Sequence, residues 1–227
     1  MVISNINASI EKKYIVVDAG HGGMDPGCNI GDIKESDIVL EISIKVKEVL
    51  EEFGYDVILT RKTKEALCEG KFVKRKDTEK RINIINSHNT LMVLSIHLNE
   101  FGIEKYRGAQ VFYNGNNEYS KILSDNIQQA FKMYLNNTNR EIKYKEHNML
   151  LNKLSVPSCI IECGFISNKE ELELLLDEKY QYKLAMCILY GTNTFLQEYK
   201  CWYYLTFILK FVINTYILIR EFFRVWK

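Results

Sequence analysis

Residues 14–27 read YIVVDAGHGGMDPG. The first five are an apolar, largely β-branched run of strand length, and the glycine-rich AGHGGMDPG ends it. A run apolar along its whole length, instead of alternating, reads as a strand buried on both faces. Over 37–53 apolar residues fall at 38, 42, 46, 49, 50 and 53, with lysines and carboxylates between them. That is amphipathic helix spacing, and Gly54 stops it. The same reading predicts strands over 55–59, 91–97, 109–113 and 158–162, the last introduced by Pro157. It predicts helices over 78–87, 117–134, 168–176 and 180–199. Near-apolar strands separated by helices imply an α/β fold: a three-layer sandwich with a mostly parallel central sheet flanked by helices. One catalytic domain over 14–199 is the simplest organisation.

The chain has 227 residues, of which 47% are hydrophobic and 26% charged, so it is too apolar to be disordered and long enough to bury a core. Lys+Arg 30 against Asp+Glu 29 leaves a net charge of +1, which excludes nucleic-acid binding by bulk positive charge. Residues 202–219 (WYYLTFILKFVINTYILI) hold a single charge, Lys210, and are followed by the basic, aromatic REFFRVWK. Membrane contact through 201–227, as a spanning or a surface helix, is one reading of this tail. Lys210 near its middle weighs against spanning. The other reading is translated sequence past a natural stop. Residues 1–13 lack a basic start followed by an apolar stretch, so no secretory signal is present in the chain as it stands. Cys28, Cys68, Cys159, Cys163, Cys187 and Cys201 form no CxxC pair, and a chain this large needs no disulfide scaffold, so reduced thiols are expected.

Two of the four histidines stand at the carboxyl ends of predicted buried strands: His21 after YIVVDAG and His97 closing LMVLSIH. Glu162 closes SCIIE in the same way, and Glu35 precedes the first helix after the loop that starts at His21. In open α/β sheets the crevice beyond the carboxyl ends of the strands is where ligands bind. Two histidines and a carboxylate on separate elements are the ligand set of a catalytic zinc with a position open to water. Taken singly, each residue has a duller reading. His21 could bond a loop carbonyl, His97 could be a satisfied core histidine, and the macrodipole favours Glu35 at a helix start whatever the function. Glu162 is harder to dismiss, because an unpaired buried carboxylate costs several kcal/mol.

DAGHGGMDPG, KESDIVLEISI at 34–44, SIHLN at 95–99 and IIECGFISN at 160–168 together resemble the zinc-dependent N-acetylmuramoyl-L-alanine amidases of the type 3 cell-wall amidase family. Further segments are similar to its spore-cortex, germination-specific branch: LTRKT at 59–63, VKRKDTEKRINIIN at 73–86, GAQVFY at 108–113 and LNNTNREIK at 135–143. The resemblance implies that His21, Glu35 and His97 bind Zn²⁺ and that Glu162 is the catalytic carboxylate. It implies hydrolysis of the amide between the lactyl group of N-acetylmuramic acid and L-alanine, in spore cortex as a step to muramic-δ-lactam. Alternatives are a general wall amidase used in cell separation, or a non-catalytic peptidoglycan-binding relative. The expected partners are muropeptide stems of the wall, with an accessory protein as a further candidate and no nucleic acid. The expected location is extracytoplasmic: the cell wall or the forespore intermembrane space.

Other features carry less. Lys71, Lys74, Arg75, Lys76, Lys80 and Arg81 read as a solvated helix face, or as attraction to the carboxylates of the wall polymer. Asn99 follows the strand-end histidine and reads as a substrate contact or a simple strand-end turn. His88 and His147 receive no role. Gly20, Gly22 and Gly23 lack the spacing of a phosphate loop. Strand alternation turns Cys163 away from Glu162, which argues against a thiol hydrolase.

Overall fold

The computed structural model describes residues 12–199; the start of the chain and the tail 201–227 lie outside the described residues. Strand β1 (Tyr14–Ala19) is the decisive run, and all but its first residue are buried. A two-residue hairpin follows, β2 (Asn29–Ile30) and β3 (Ile33–Lys34), and then helix α1 (Glu35–Glu52). The chain continues through β4 (Val57–Leu59), α2 (Lys74–Asn86), β5 (Thr90–Asn99), β6 (Gln110–Tyr113) and α3 (Glu118–Ala130). It ends with β7 (Lys143–Tyr144), β8 (Ser158–Phe165), α4 (Lys169–Leu176) and α5 over 178–199.

Six strands form one sheet in the order β4-β1-β5-β8-β6-β7. The pairs β1/β4, β1/β5 and β5/β8 are parallel, while β6 runs antiparallel to β8. Strand alternation divides the core between the two faces. Ile15, Val17, Met92, Leu94, Ile96, Ile161 and Cys163 pack with apolar residues of α1, α3 and α5. Val16 and Val93 face the other way, onto Ile82 and Ile85 of α2 and onto Leu150 and Leu154. This is the three-layer α/β sandwich expected. On α1, Ile38, Val39, Ile42, Val46, Val49 and Leu50 are buried, each such side chain contributing about 1.5–3 kcal/mol. Gly54 accepts the left-handed turn that ends the helix, at φ +86°.

Several boundaries differ from expectation, each for a local reason. Helix α1 starts at Glu35 and α2 at Lys74, both within polar stretches that carry no apolar period. The helix expected over 117–134 is α-helical only to Ala130, followed by one π turn, Phe131–Leu135. There the amide of Asn136 donates to the carbonyl of Phe131 at 3.1 Å, and Asn136 takes φ +52°, which asparagine tolerates. Strands β2, β3 and β7, of two residues each, are too short for periodicity to reveal. Among the described residues, Cys28, Cys68, Cys159, Cys163 and Cys187 are free thiols. No helix of the described residues is long and apolar enough to cross a membrane.

Candidate metal centre

From β1 the chain passes through α1 to β4 on one side, then through α2 to β5 on the other, with the two helices on opposite faces. The neighbouring strands β1 and β5 therefore mark a topological switch point, and it is beyond the carboxyl ends of strands at such a point that open α/β sheets form their binding crevice. His21 follows β1 and His97 lies near the end of β5. The amide of Gly20 extends the ladder by donating to the carbonyl of Ile96 at 3.0 Å. A Cβ at Gly20 would lie 2.6 Å from Nε2 and 2.7 Å from Nδ1 of His97, so that imidazole fits only over a glycine. His21 then takes φ +59°, a left-handed conformation that costs a residue with a side chain about 1 kcal/mol or more. The two rings meet edge to face with centroids 4.9 Å apart.

Glu35 arrives by a different route. Residues 22–34 fold back through a bridge between Gly22 and Asp25 and the β2–β3 hairpin, which delivers Glu35 as the first residue of α1. It is thus the helix's own first residue, where the sequence predicts a position just ahead of it. Its Oε1 lies 3.3 Å from Nε2 of His21 and 3.2 Å from Nδ1 of His97. The amide of Leu98 also donates to Oε1, and that of Cys28 to Oε2, both at 2.9 Å. Burial alone would raise the Glu35 pKa, but the two imidazoles hold it well below the usual carboxylate range. Burial would lower that of His21, yet Asp25, 3.0 Å from Nδ1, and Glu35 push it up to about 9. One donor atom from each of His21, Glu35 and His97 lies within 4.8 Å of the others. Two imidazole nitrogens and one carboxylate oxygen, held by separate elements, could hold a zinc-type divalent ion.

Glu162 stands opposite His97 in the parallel register of β5 and β8, on the same face. It is 9% exposed, and its Oε2 is buried with no hydrogen-bond partner among the described residues. Burial pushes its pKa up. Other buried carboxylates differ in being fully engaged. Asp18 accepts from Ser95, Thr60 and Arg81, each at 2.7 Å. Glu171 accepts from the amides of Gly108 and Phe165. Cys163 packs in the core on the opposite face, as alternation predicts.

These groups line a cleft of about 590 Å³, joined by Lys74 from α2, by Asn99 and by Lys145 and His147 from the segment after β7. Lys145 and His147 had no sequence signal: they belong to a polar stretch without periodicity, and only the tertiary fold brings it over the strand ends. His147, given no role from sequence, does line the cleft. His88 does not; its Nδ1 lies 2.8 Å from the carbonyl oxygen of Ile84, and its ring packs against Tyr14. Within the basic stretch, Arg75 pairs with Glu79 at the surface and Lys74 reaches Asp25 at 3.5 Å. Arg81 corrects the solvated-face reading: it is buried, ion-paired to Asp18 at 2.7 Å and to Asp77 at 2.9 Å.

The family model described as N-acetylmuramoyl-L-alanine amidase matches residues 15–193. A germination-specific N-acetylmuramoyl-L-alanine amidase of Bacillus subtilis is 36% identical over 191 residues, 82% of this chain and 81% of the relative. The structure of the CwlD amidase from Clostridioides difficile, in complex with the GerS lipoprotein, is similar with a TM-score of 0.77 at 40% identity. That similarity covers 82% of this chain and 99% of that one. The catalytic domain of CwlV, an N-acetylmuramoyl-L-alanine amidase from Bacillus (Paenibacillus) polymyxa, gives a TM-score of 0.71 at 26% identity, covering 82% and 98%. With the family model spanning the sheet and both histidine-bearing strand ends, the chain belongs to the N-acetylmuramoyl-L-alanine amidase family.

Proposed function

We propose that residues 14–199 form the catalytic domain of a zinc-dependent amidase that acts outside the cytoplasm on spore-cortex peptidoglycan. It hydrolyses the amide between the lactyl group of N-acetylmuramic acid and L-alanine, a step towards muramic-δ-lactam. The observation that carries this reading is the meeting of His21, Glu35 and His97 beside a buried carboxylate with a free oxygen, Glu162. The germination-specific amidase activity of the B. subtilis relative supports the substrate and the setting.

His21, Glu35 and His97 would hold the ion. When bound, zinc supplies Lewis-acid chemistry, acidifying a water and polarising the lactyl carbonyl. Glu162 accepts the proton that the attacking water loses and delivers it to the departing alanine nitrogen, which would otherwise leave as an amide anion. Its burial suits both steps, because a raised proton affinity lets a carboxylate hold and release a proton nearer neutral pH. Lys74 and Lys145 place cations at the cleft, where they attract the carboxylates of the stem peptide. An accessory lipoprotein of the kind seen with the C. difficile amidase is the partner this reading implies.

The test is release of L-alanine-headed peptide from purified cortex glycan, run beside zinc stoichiometry. Glu162→Ala is expected to lose a factor on the order of 10²–10⁴ in rate while retaining zinc. His21→Ala and His97→Ala are expected to lose the metal itself. A near-native rate for Glu162→Ala overturns the role given to it. Cortex muropeptides from a deletion strain separate the settings: persistence of muramic-δ-lactam rules out the cortex assignment.

A further inference from the structure

Two arginines from segments remote from the metal-ligating blocks, LTRKT and VKRKDTEKRINIIN, meet behind the loop that carries His21. Both are nearly inaccessible, Arg61 at 3% and Arg81 at 5% exposure. Arg61 donates from Nε to the carbonyl of Ala19 at 3.0 Å and from Nη2 to those of Gly20 at 2.8 Å and Ser36 at 2.6 Å. Its Nη1 donates to the carbonyl of Thr63 at 2.9 Å, tying the cation to its own loop. Arg81 donates from Nη1 to the carbonyl of Ala19 at 2.6 Å and from Nη2 to the carbonyl of His21. Asp18 and Asp77 both ion-pair with Arg81, and Asp77 also accepts from the amides of Leu67 and Cys68.

Apart from that of Thr63, the carbonyls engaged belong to four residues, 19, 20, 21 and 36: the turn that presents His21, and the residue after Glu35. One guanidinium thus spans the end of β1 and the start of α1, two elements whose relative placement sets the distance between His21 and Glu35. The other holds the carbonyl of a residue forced into left-handed backbone conformation. A planar fork with five donors can bridge several carbonyls at once, which a lysine ammonium on a flexible stem cannot do with the same geometry.

We propose that Arg61 and Arg81 act as a buried clamp that positions His21 and Glu35, so that these two side chains set how tightly the chain holds its metal. The proposal rests on the ligand roles given above to His21 and Glu35. Neither arginine touches substrate or metal; both are positioning residues, acting through the backbone.

The experiment measures zinc affinity of the full chain by chelator competition, with the visible spectrum of the cobalt-loaded protein and the melting temperature of the metal-free protein. Arg61→Lys and Arg81→Lys keep the charge and remove the fork. Val16→Ala weakens the core on the same face of the sheet and touches none of the four carbonyls. Either lysine variant that folds is expected to bind zinc at least tenfold more weakly and to show a shifted cobalt spectrum. Val16→Ala is expected to lower the melting temperature with affinity and spectrum unchanged. Native affinity and spectrum in the folded lysine variants overturn the clamp. So does an equal loss of affinity in Val16→Ala, since stability alone would then account for it. Failure of the unsubstituted chain to bind zinc overturns the ligand assignment instead, and the clamp with it.

Discussion

A carboxylate buried on a strand interior is costly, and what separates a structural one from a reactive one is whether its oxygens are already used. Glu171 spends its oxygens on the amides of Gly108 and Phe165, and Asp18 on Ser95, Thr60 and Arg81. Glu162 keeps Oε2 without a partner among the described residues and stands opposite His97, as the catalytic role proposed for it requires. The glycine at position 20 belongs to the same scale. Gly20→Ala would drive a methyl group into the His97 ring, against Nε2 at 2.6 Å. The expected outcome is at least a tenfold loss in zinc affinity, a difference of about 1.4 kcal/mol or more, with the circular dichroism of the folded protein retained. Titration with a chromophoric chelator reads the first and the far-ultraviolet spectrum the second.

At the scale of elements, β1, β4, β5 and α2 are joined beneath the site by Asp18, Thr60, Ser95 and Arg81. Burial alone would raise the pKa of Asp18, yet Arg81 with the two hydroxyl donors holds it down at about 2, below the ordinary range of an aspartate. Its folded pKa is the lower one, so the ionised group contributes stability above pH 4, and that share disappears as pH falls from 4 towards 2. The size follows from the shift, about 2 kcal/mol for a fully buried group. Urea unfolding followed from pH 6 down to pH 2 is expected to show this fall. Asp18→Asn is expected to lack that part of the pH dependence and to be less stable by about 3–5 kcal/mol at neutral pH, because Arg81 loses a buried partner.

For the whole molecule, the proposed ligands come from a loop, a helix start and a strand end that only the folded chain brings together, so the proposed metal binding and folding would be linked. Zinc at a hundredfold excess over its dissociation constant is expected to stabilise the chain by about 2.7 kcal/mol. That corresponds to a rise of about 5–10 °C in melting temperature for a domain of this size. Differential scanning calorimetry before and after chelation measures it, and identical melting curves would contradict the linkage.

Much of this was legible in the chain. Apolar runs such as 14–18 and 91–97 are strands because their side chains are unsuited to water on either face, and the 3.6-residue period of α1 marks one buried stripe. Strand ends followed by glycine, histidine or a carboxylate point to a crevice whatever the details of packing, so His21, His97 and Glu162 could be singled out in advance, with Glu35 joined to them by its place between the His21 loop and the first helix. Local sequence carries this information because hydrophobic period and backbone permissiveness are local properties. The reversal of β6, the π turn after α3, the burial of Arg81 and the arrival of Lys145 and His147 at the cleft were decided only by the tertiary structure. Each depends on which distant surface a polar or short segment meets, and a charged side chain carries no period to announce whether it will find water or an aspartate 63 residues away.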